Sequence, residues 1–266
     1  MYSEIDFPLT PEQRQRLLGQ EQSGAHCFRK AVARGATAIG WDGVHGLLHY
    51  SAQGTPMDGQ APVWFQTYKN GVRVTAVGPA GAALLAESIL PLHRVIAAGA
   101  GGIVAIVPRS GECTIGLGRP TTYVTGALSF VYKHKKAWWW GQVDQAKKDV
   151  SAFLDAPGVR DELAGIIKRS LTRAIVECHG TGALETGGDT EVSLAELERR
   201  LVVRVDSARR ILFMEEGKGR TLALKGVEIT TNAALSGPWA VGRFASRGDG
   251  IIRREMSGDV AFQESA

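Results

Sequence analysis

Apolar residues recur every three or four positions between Leu163 and Ile175, a spacing that places them on one face of a helix. A second helical pattern covers residues 9–34, with Thr10 as the cap, Pro11 as the first helical residue and a break at Gly24. Shorter helices are predicted for residues 82–89, 142–154 and 193–201. The chain is therefore expected to contain about five helices.

Strand-like segments occupy much of the remaining sequence and are separated by Gly, Pro, Asp and Asn. Asn70-Gly71 is predicted to join two strands, 63–68 and 72–77, because this dipeptide favours the turn that matches strand twist. The continuous apolar run at residues 102–107 predicts a buried strand. Further strands are predicted at 113–117, 121–124, 127–132, 182–186, 211–214, 221–224, 227–230, 241–245, 251–252 and 259–262.

These elements predict an α+β (mixed α/β) fold with a Gly-rich mixed β-sheet. The 33 glycines indicate many tight turns and short strands. Pro157-Gly158 is the best candidate for a boundary, which would divide the chain into an N-terminal mixed α/β region, residues 1–156, and a C-terminal α/β region, residues 157–266.

Composition and charge narrow the class of partner. The hydrophobic fraction of 44% and the charged fraction of 22% are those of an ordinary globular protein. A net charge of +4 suits a small anionic ligand and is too small to indicate nucleic acid, which is therefore not expected as a partner. The cysteines Cys27, Cys113 and Cys178 lie far apart, which argues against a disulfide framework and a structural zinc site.

Neither the N-terminal residues nor the most apolar stretch of the chain predicts a membrane location. Residues 1–6 lack the basic start and apolar run of a signal peptide. The stretch from 80 to 107 is interrupted by Glu87, Pro91, His93 and Arg94, so no transmembrane segment is predicted. We expect a cytoplasmic protein.

The first candidate site is the turn His179-Gly180-Thr181, which follows the helix ending near residue 175. Its glycine would let a phosphate approach the backbone, and its side chains would donate hydrogen bonds. The same residues are also an ordinary way to end a helix, because Gly adopts the left-handed conformation without steric cost. On local pattern alone, the structural interpretation is favoured.

The second candidate site is Asp249-Gly250, which stands just before an apolar strand. A carboxylate between two glycines could bind a divalent ion or a ribose hydroxyl, or could simply form a turn. A third feature is the patch from Lys133 to Trp140, where basic residues precede three tryptophans. It could bind a nucleic acid or a membrane, or enter the core at a strand end.

Two histidines, His45 and His49, stand four residues apart. This is the spacing of a helical metal pair, but neighbouring glycines disfavour a helix, and no Glu follows His45. No metal site is predicted, and no residue is assigned a catalytic role.

The order of motifs in the last hundred residues resembles the diadenylate cyclase family, including its sensor-type relatives. The similarity consists of a helix before His179-Gly180-Thr181, a second helix from Ser193, and the run from Ala245 to Ile252 that contains Asp249-Gly250. In that family an Asp-Gly-Ala motif faces the nucleotide and its metal, and an Arg-His-Arg motif holds phosphates. Here Ile251 replaces the alanine, and no Arg-His-Arg follows.

The resemblance implies a non-catalytic nucleotide-sensing module. Its pocket would contain His179, Gly180, Thr181, Asp249 and Gly250, and it would act as a homo-oligomer or with a partner protein. Mg²⁺ with a nucleotide is the only cofactor implied. The first alternative is a metal-dependent nucleotidyltransferase of the diadenylate cyclase type. The second is a membrane-active or toxin-like protein that uses the Lys/Trp patch.

Overall fold

The computed structural model describes two α+β units that follow one another along the chain. The described residues are 1–19, 24–51, 53, 55, 57, 60–132, 149–180, 184, 186–187, 190–191, 193–216, 219–242 and 250–254. The predicted α+β class is confirmed. Within these ranges the chain forms seven α-helices rather than about five, and the strands of both main sheets pair antiparallel rather than in a mixed arrangement.

The first unit has the order strand, helices, two strands, helix, strand. Its elements are β1 Tyr2–Pro8, α1 Pro11–Leu18, α2 Ala25–Ile39, α3 Val44–Leu47, β2 Val63–Tyr68, β3 Gly71–Val77, α4 Gly78–Ala100 and β4 Val107–Gly111. The strands lie side by side in the order β2-β3-β1-β4. This βαββαβ arrangement is ferredoxin-like.

The second unit repeats that strand order with a different set of helices. Its elements are β5 Thr114–Tyr132, α5 Val150–Asp155, α6 Val159–Ala174, β6 Thr186–Gly187, β7 Thr190–Glu191, α7 Leu194–Arg200, β8 Val203–Ser207, β9 Arg210–Glu216, β10 Gly219–Ser236, β11 Trp239–Ala240 and β12 Ile251–Arg254. The main sheet runs β11-β12-β5-β10-β8, with β9 paired to β10. The four strands β12-β5-β10-β8 thus correspond in order to β4-β1-β3-β2 of the first unit.

Each unit has its own apolar core. In the first, α2 and α4 pack residues such as Phe28, Leu92 and Ile96 on one face of the sheet. In the second, α6 packs Leu163, Ile167 and Leu171, so the helix predicted there and its buried face are confirmed. The boundary at Pro157-Gly158 stays a prediction, although β5 and β10, which lie on either side of it in sequence, belong to one sheet.

Local signals at two turns are confirmed. Thr10 caps α1, and its side chain accepts a hydrogen bond from the Gln13 backbone while Gln13 reciprocates. Asn70 lies in the turn between β2 and β3. Because such signals act over three or four residues, they are readable from the sequence alone.

Other predictions about strands and helices are wrong. The apolar run 102–107 is not a buried strand: Ile103 is almost fully exposed, and β4 begins only at Val107. The three strands predicted between 113 and 132 are the single strand β5, because pairing with β10 carries it through the intervening Gly and Pro residues. The helix predicted from residue 82 extends from 78 to 100 and includes Pro91.

Helix α4 is, among the described residues, the one helix with the length and apolar composition of a membrane span. It packs Leu85, Leu92 and Ile96 into the first core, which is also how the central helix of a globular unit behaves.

Candidate functional site

His179 lies at the end of α6, where the chain forms a π-helical turn, Ile175–His179. Its imidazole is buried and stacks on the Trp239 indole with ring centroids 4.1 Å apart. Neither ring nitrogen has a hydrogen-bond partner among the described residues. Burial, and secondarily the N-terminal ammonium group, lowers the pKa of His179 to about 4. The ring is therefore neutral at pH 7 and is not presented to solvent.

Both glycines of the predicted site have positive φ angles and serve the backbone. Gly180 has φ 77° and ψ 163°, a conformation almost restricted to glycine, and its N–H donates to the Ile175 carbonyl at 2.7 Å. The Gly250 carbonyl accepts a hydrogen bond from the Val241 N–H at 2.9 Å, and a Cβ at residue 250 would overlap the Val241 carbonyl oxygen. Thr181 and Asp249 lie outside the described residues.

The turn that contains His179 also joins the two units. The Cys178 thiol donates to the Gln60 carbonyl at 3.5 Å, and the Gln60 N–H donates to Glu177 Oε2 at 2.5 Å. Gly78, the first residue of α4, lies directly against the Cys178 carbonyl, so that a Cβ there would overlap its oxygen. Burial raises the pKa of Cys178 to about 12, so this thiol stays protonated. The predicted site is therefore close to a packed junction.

A second set of residues, the histidine cluster of Arg29, His45, His49 and Tyr50, lies where α2 and α3 meet. The guanidinium of Arg29 donates to the Leu48 carbonyl and lies over the Tyr50 ring, 5.0 Å from its centroid. The Tyr50 N–H donates to the His45 carbonyl at 2.8 Å. The Tyr50 ring thus lies beside the Arg29 guanidinium, and His45 and His49 belong to the same short segment of the chain.

His49 is, within the described ranges, the one residue other than glycine with a positive φ, at 59°. Its carbonyl accepts a hydrogen bond from the Met57 N–H at 3.1 Å, which helps to hold the turn. For a residue other than glycine, the left-handed conformation raises the conformational energy by roughly 1 kcal/mol or more. Such strained residues are concentrated at functional sites. The four-residue spacing of His45 and His49 is visible in the sequence, but by itself it indicates only a helical metal pair.

A third arrangement lies on the face of the first sheet that α2 and α4 leave open. Arg73 on β3 donates to both carboxylate oxygens of Asp6 on β1, at 2.5 and 3.0 Å. Arg73 also lies 3.6 Å from Glu4, and Arg109 on β4 lies 3.5 Å from Asp6. The Arg73 guanidinium is 5.8 Å from the centroid of the Tyr68 ring. We call these five residues, Glu4, Asp6, Tyr68, Arg73 and Arg109, the sheet platform.

The platform is extended inward by uncharged groups. The Thr75 hydroxyl donates to Glu4 at 2.9 Å, and the Gln66 amide donates to the Thr75 hydroxyl at 3.2 Å. The hydrogen bonds to Asp6 raise the pKa of Arg73, and burial followed by the charge of Asp6 raises the pKa of Tyr68. Both groups therefore keep their protons at neutral pH and act as hydrogen-bond donors.

In the part of the chain that the structure describes, no three or more His, Cys, Asp or Glu side chains come together in a way that could hold a metal ion. The Lys/Trp patch at residues 133–140 lies outside the described residues.

Two solved structures share this fold over nearly its whole length. One is Csf5, a CRISPR-Cas type IV Cas6 crRNA endonuclease, with a TM-score of 0.59 and 16% identity over 96% of this chain and 99% of that chain. The other is Cas6b, with a TM-score of 0.53 and 12% identity over 96% of this chain and 98% of that chain. No family model and no curated protein matches the sequence. At these identities the likeness establishes a shared fold.

The likeness corrects several expectations. The resemblance to the diadenylate cyclase family is wrong, and with it the nucleotide-sensing module, because this fold is shared over nearly its whole length by Csf5, a Cas6 crRNA endonuclease, and by Cas6b. The motifs behind that resemblance are short, and Gly180 and Gly250 have backbone roles that such motifs share with ordinary turns. Nothing in the likeness supports the nucleotidyltransferase or the membrane-active alternative.

The expectation against nucleic acid as a partner is also wrong, because Csf5, which shares this fold, is a crRNA endonuclease. It rested on the net charge of +4, which averages over the chain and hides where acidic and basic groups lie. The binding role of the predicted site residues, Mg²⁺ with a nucleotide, and the oligomeric state stay predictions.

Proposed function

We propose that this protein binds CRISPR RNA and cleaves it as an endonuclease. The observation that carries the proposal is the agreement of both units, in the same order, with a Cas6 crRNA endonuclease over 96% of this chain and 99% of the other. The corresponding location is the cytoplasm, where such RNA is transcribed in a prokaryotic cell.

The histidine cluster is the candidate cleavage centre. Cleavage of RNA by its own 2′-hydroxyl requires that a proton leave that hydroxyl, that a proton reach the departing 5′-oxygen, and that positive charge face the phosphate. Imidazole is the side chain most often used to move protons near neutral pH. His45 and His49 supply two imidazoles on one segment, Tyr50 a phenol, and Arg29 a fixed positive charge beside the Tyr50 ring.

The proposal is tested by identifying the RNA that copurifies with the tagged protein from its native cell. We expect sequencing to show CRISPR repeats that share one end, because a single cleavage position within the repeat generates a uniform terminus. Copurifying RNA without repeats, or repeats with scattered ends, would overturn the proposal.

Variants of the histidine cluster separate chemistry from backbone geometry. Glycine adopts a φ of 59° without strain, so His49→Gly should keep or raise the melting temperature. If His49 moves a proton, the same variant should lose about 100-fold or more in cleavage rate. Lys30→Ala, a change at an exposed residue of α2, is the matched control and should cleave normally. Normal cleavage by both His45→Ala and His49→Gly would exclude this cluster as the centre.

A further inference from the structure

The sheet platform has a layered distribution of charge. Its two carboxylates lie underneath: the side chains of Asp6 and Glu4 are only 5% and 11% exposed. Its two guanidinium groups lie above them, with side chains 26% exposed for Arg73 and 59% exposed for Arg109. Although the formal charges of these four residues cancel, solvent meets mainly the positive ones.

The carboxylates also fix the direction of the guanidinium groups. Asp6 holds Arg73 with two hydrogen bonds, an arrangement that preorganises the remaining N–H donors. Among the described residues Arg109 forms one ion pair, at 3.5 Å to Asp6, and its side chain is largely exposed, so most of its five N–H donors are available to a partner. The platform therefore offers fixed donors at a positive surface, next to the aromatic ring of Tyr68.

One end of this face is open and the other is closed. Trp64 and Val77, which lie on the same face as Arg73 and Tyr68, belong to the core of the second unit. The second unit thus covers that end only, while Tyr68, Arg73 and Arg109 remain partly or largely exposed. An elongated anionic partner has access to the open end.

We infer that the sheet platform binds an unpaired segment of RNA, with a phosphate on Arg109 and a base against the Tyr68 ring. This inference rests on the proposed function and assigns it a second binding surface, apart from the histidine cluster. Phosphate groups satisfy the free guanidinium donors, and a base can stack on a phenol ring only when it is not already stacked within a duplex. The chemistry therefore selects single-stranded over double-stranded RNA.

The test is the affinity of the full-length protein for a 5′-labelled single strand of about twelve uridines, measured at several salt concentrations. Loss of one phosphate contact should lower the magnitude of the salt slope by about 0.7 for a single strand, so Arg109→Gln should show that change. Removing the aromatic ring on which one base stacks weakens binding by about 5- to 150-fold, which is the effect expected for Tyr68→Leu. Arg94→Gln, at an exposed residue of α4 on the other side of the sheet, is the matched control and should bind as the unchanged protein does.

A zero-length photocrosslink to 5-iodouridine in the same strand provides a second readout. We expect the adduct on Tyr68, or on a neighbouring residue of β2 or β3. Unchanged affinity and salt slope in both variants, or equal affinity for a duplex of the same length, would overturn the inference while leaving the proposed function intact. If the protein instead binds no repeat RNA and no single strand, both the proposed function and this inference fail.

Discussion

The two units share a strand order but close their cores differently. In the first, α2 and α4 both lie on one face of the sheet and bury it. In the second, α6 takes the place of α2, whereas the described residues between β10 and β12 form the two-residue strand β11. The second unit therefore lacks, in that described part, a counterpart of the 23-residue helix α4.

Residues at the junction take over the role of that helix. Trp239 of β11 is completely buried, and its indole stacks on His179. Trp64 and Val77 of the first unit belong to the same core. The second unit therefore completes its core with residues of the first. For this reason we expect the stabilities of the two units to be coupled at the turn 175–179.

The strongest way to break this coupling is Gly78→Ala. Gly78 has a φ of 69°, and a Cβ there would overlap the Cys178 carbonyl oxygen, so backbone must move at the junction. We expect a loss of about 4 kcal/mol in the free energy of unfolding, measured by urea titration, from left-handed strain plus the steric overlap. Helix α4 should stay formed, because the change is at its first residue.

Gly158→Ala is the matched control for that variant. Gly158 also has a positive φ, 77°, but a Cβ there would meet no atom within 4 Å. Its cost should be about 1 kcal/mol, which is the backbone strain alone. Equal losses for the two variants would mean that the contact between Gly78 and Cys178 does not couple the units.

The comparison between units also shows what sequence patterns can reveal. Helix α6 and the Asn70 turn were predictable, because a period of 3.6 residues and a turn dipeptide are local signals. Strand β1 is absent from the predicted strands, because the alternation of Glu4 and Asp6 with Ile5 and Phe7 is a short signal, yet it is a central strand between β3 and β4. Its place depends on partners about 70 to 100 residues away.

The candidate sites were harder to predict for the same physical reason. Arg73 and Asp6 are 67 positions apart in sequence, and only the sheet register places them together. Whether a carboxylate lies beneath a guanidinium or beside it is set by packing, and it decides the sign of the exposed charge. A net charge cannot carry that information. His179, in contrast, was found by its motif, but the structure places it in the core.

The buried His179 should make the free energy of unfolding depend on pH. Its pKa falls from an ordinary value of 6.5 to about 4 on folding, so between these values the unfolded state binds more protons than the folded state. The free energy of unfolding that depends on a neutral His179 is therefore fully present above about pH 6.5 and is lost as the pH falls towards 4. Relative to neutral pH, the loss at pH 5 should be about 2 kcal/mol.

His179→Phe isolates this contribution, because it keeps a ring against Trp239 and removes the titrating group. The difference in unfolding free energy between the two proteins, from urea titrations at about pH 7.5 and pH 5, should shift by about 2 kcal/mol in favour of the variant. A difference that does not change with pH would show that His179 is protonated as easily in the folded state as in the unfolded one.

The smallest expected effect comes from removing one carboxylate from the open face of each sheet, Asp6 in the first unit and Asp206 in the second. In the second unit, Asp206 accepts hydrogen bonds from Arg204 and Thr230, and its side chain is 24% exposed where that of Asp6 is 5% exposed. Removing this shielded carboxylate takes the ion pair from Arg109 and leaves Arg73 paired with Glu4, so Asp6→Ala should cost about 1.5 kcal/mol, discounted for the exposure of its partners. Asp206→Ala should cost about 0.5 kcal/mol, because water replaces its contacts readily. Both changes are measured from urea unfolding midpoints. Equal costs for Asp206→Ala and Asp6→Ala would mean that the two carboxylates are equally shielded, which would contradict the layered arrangement.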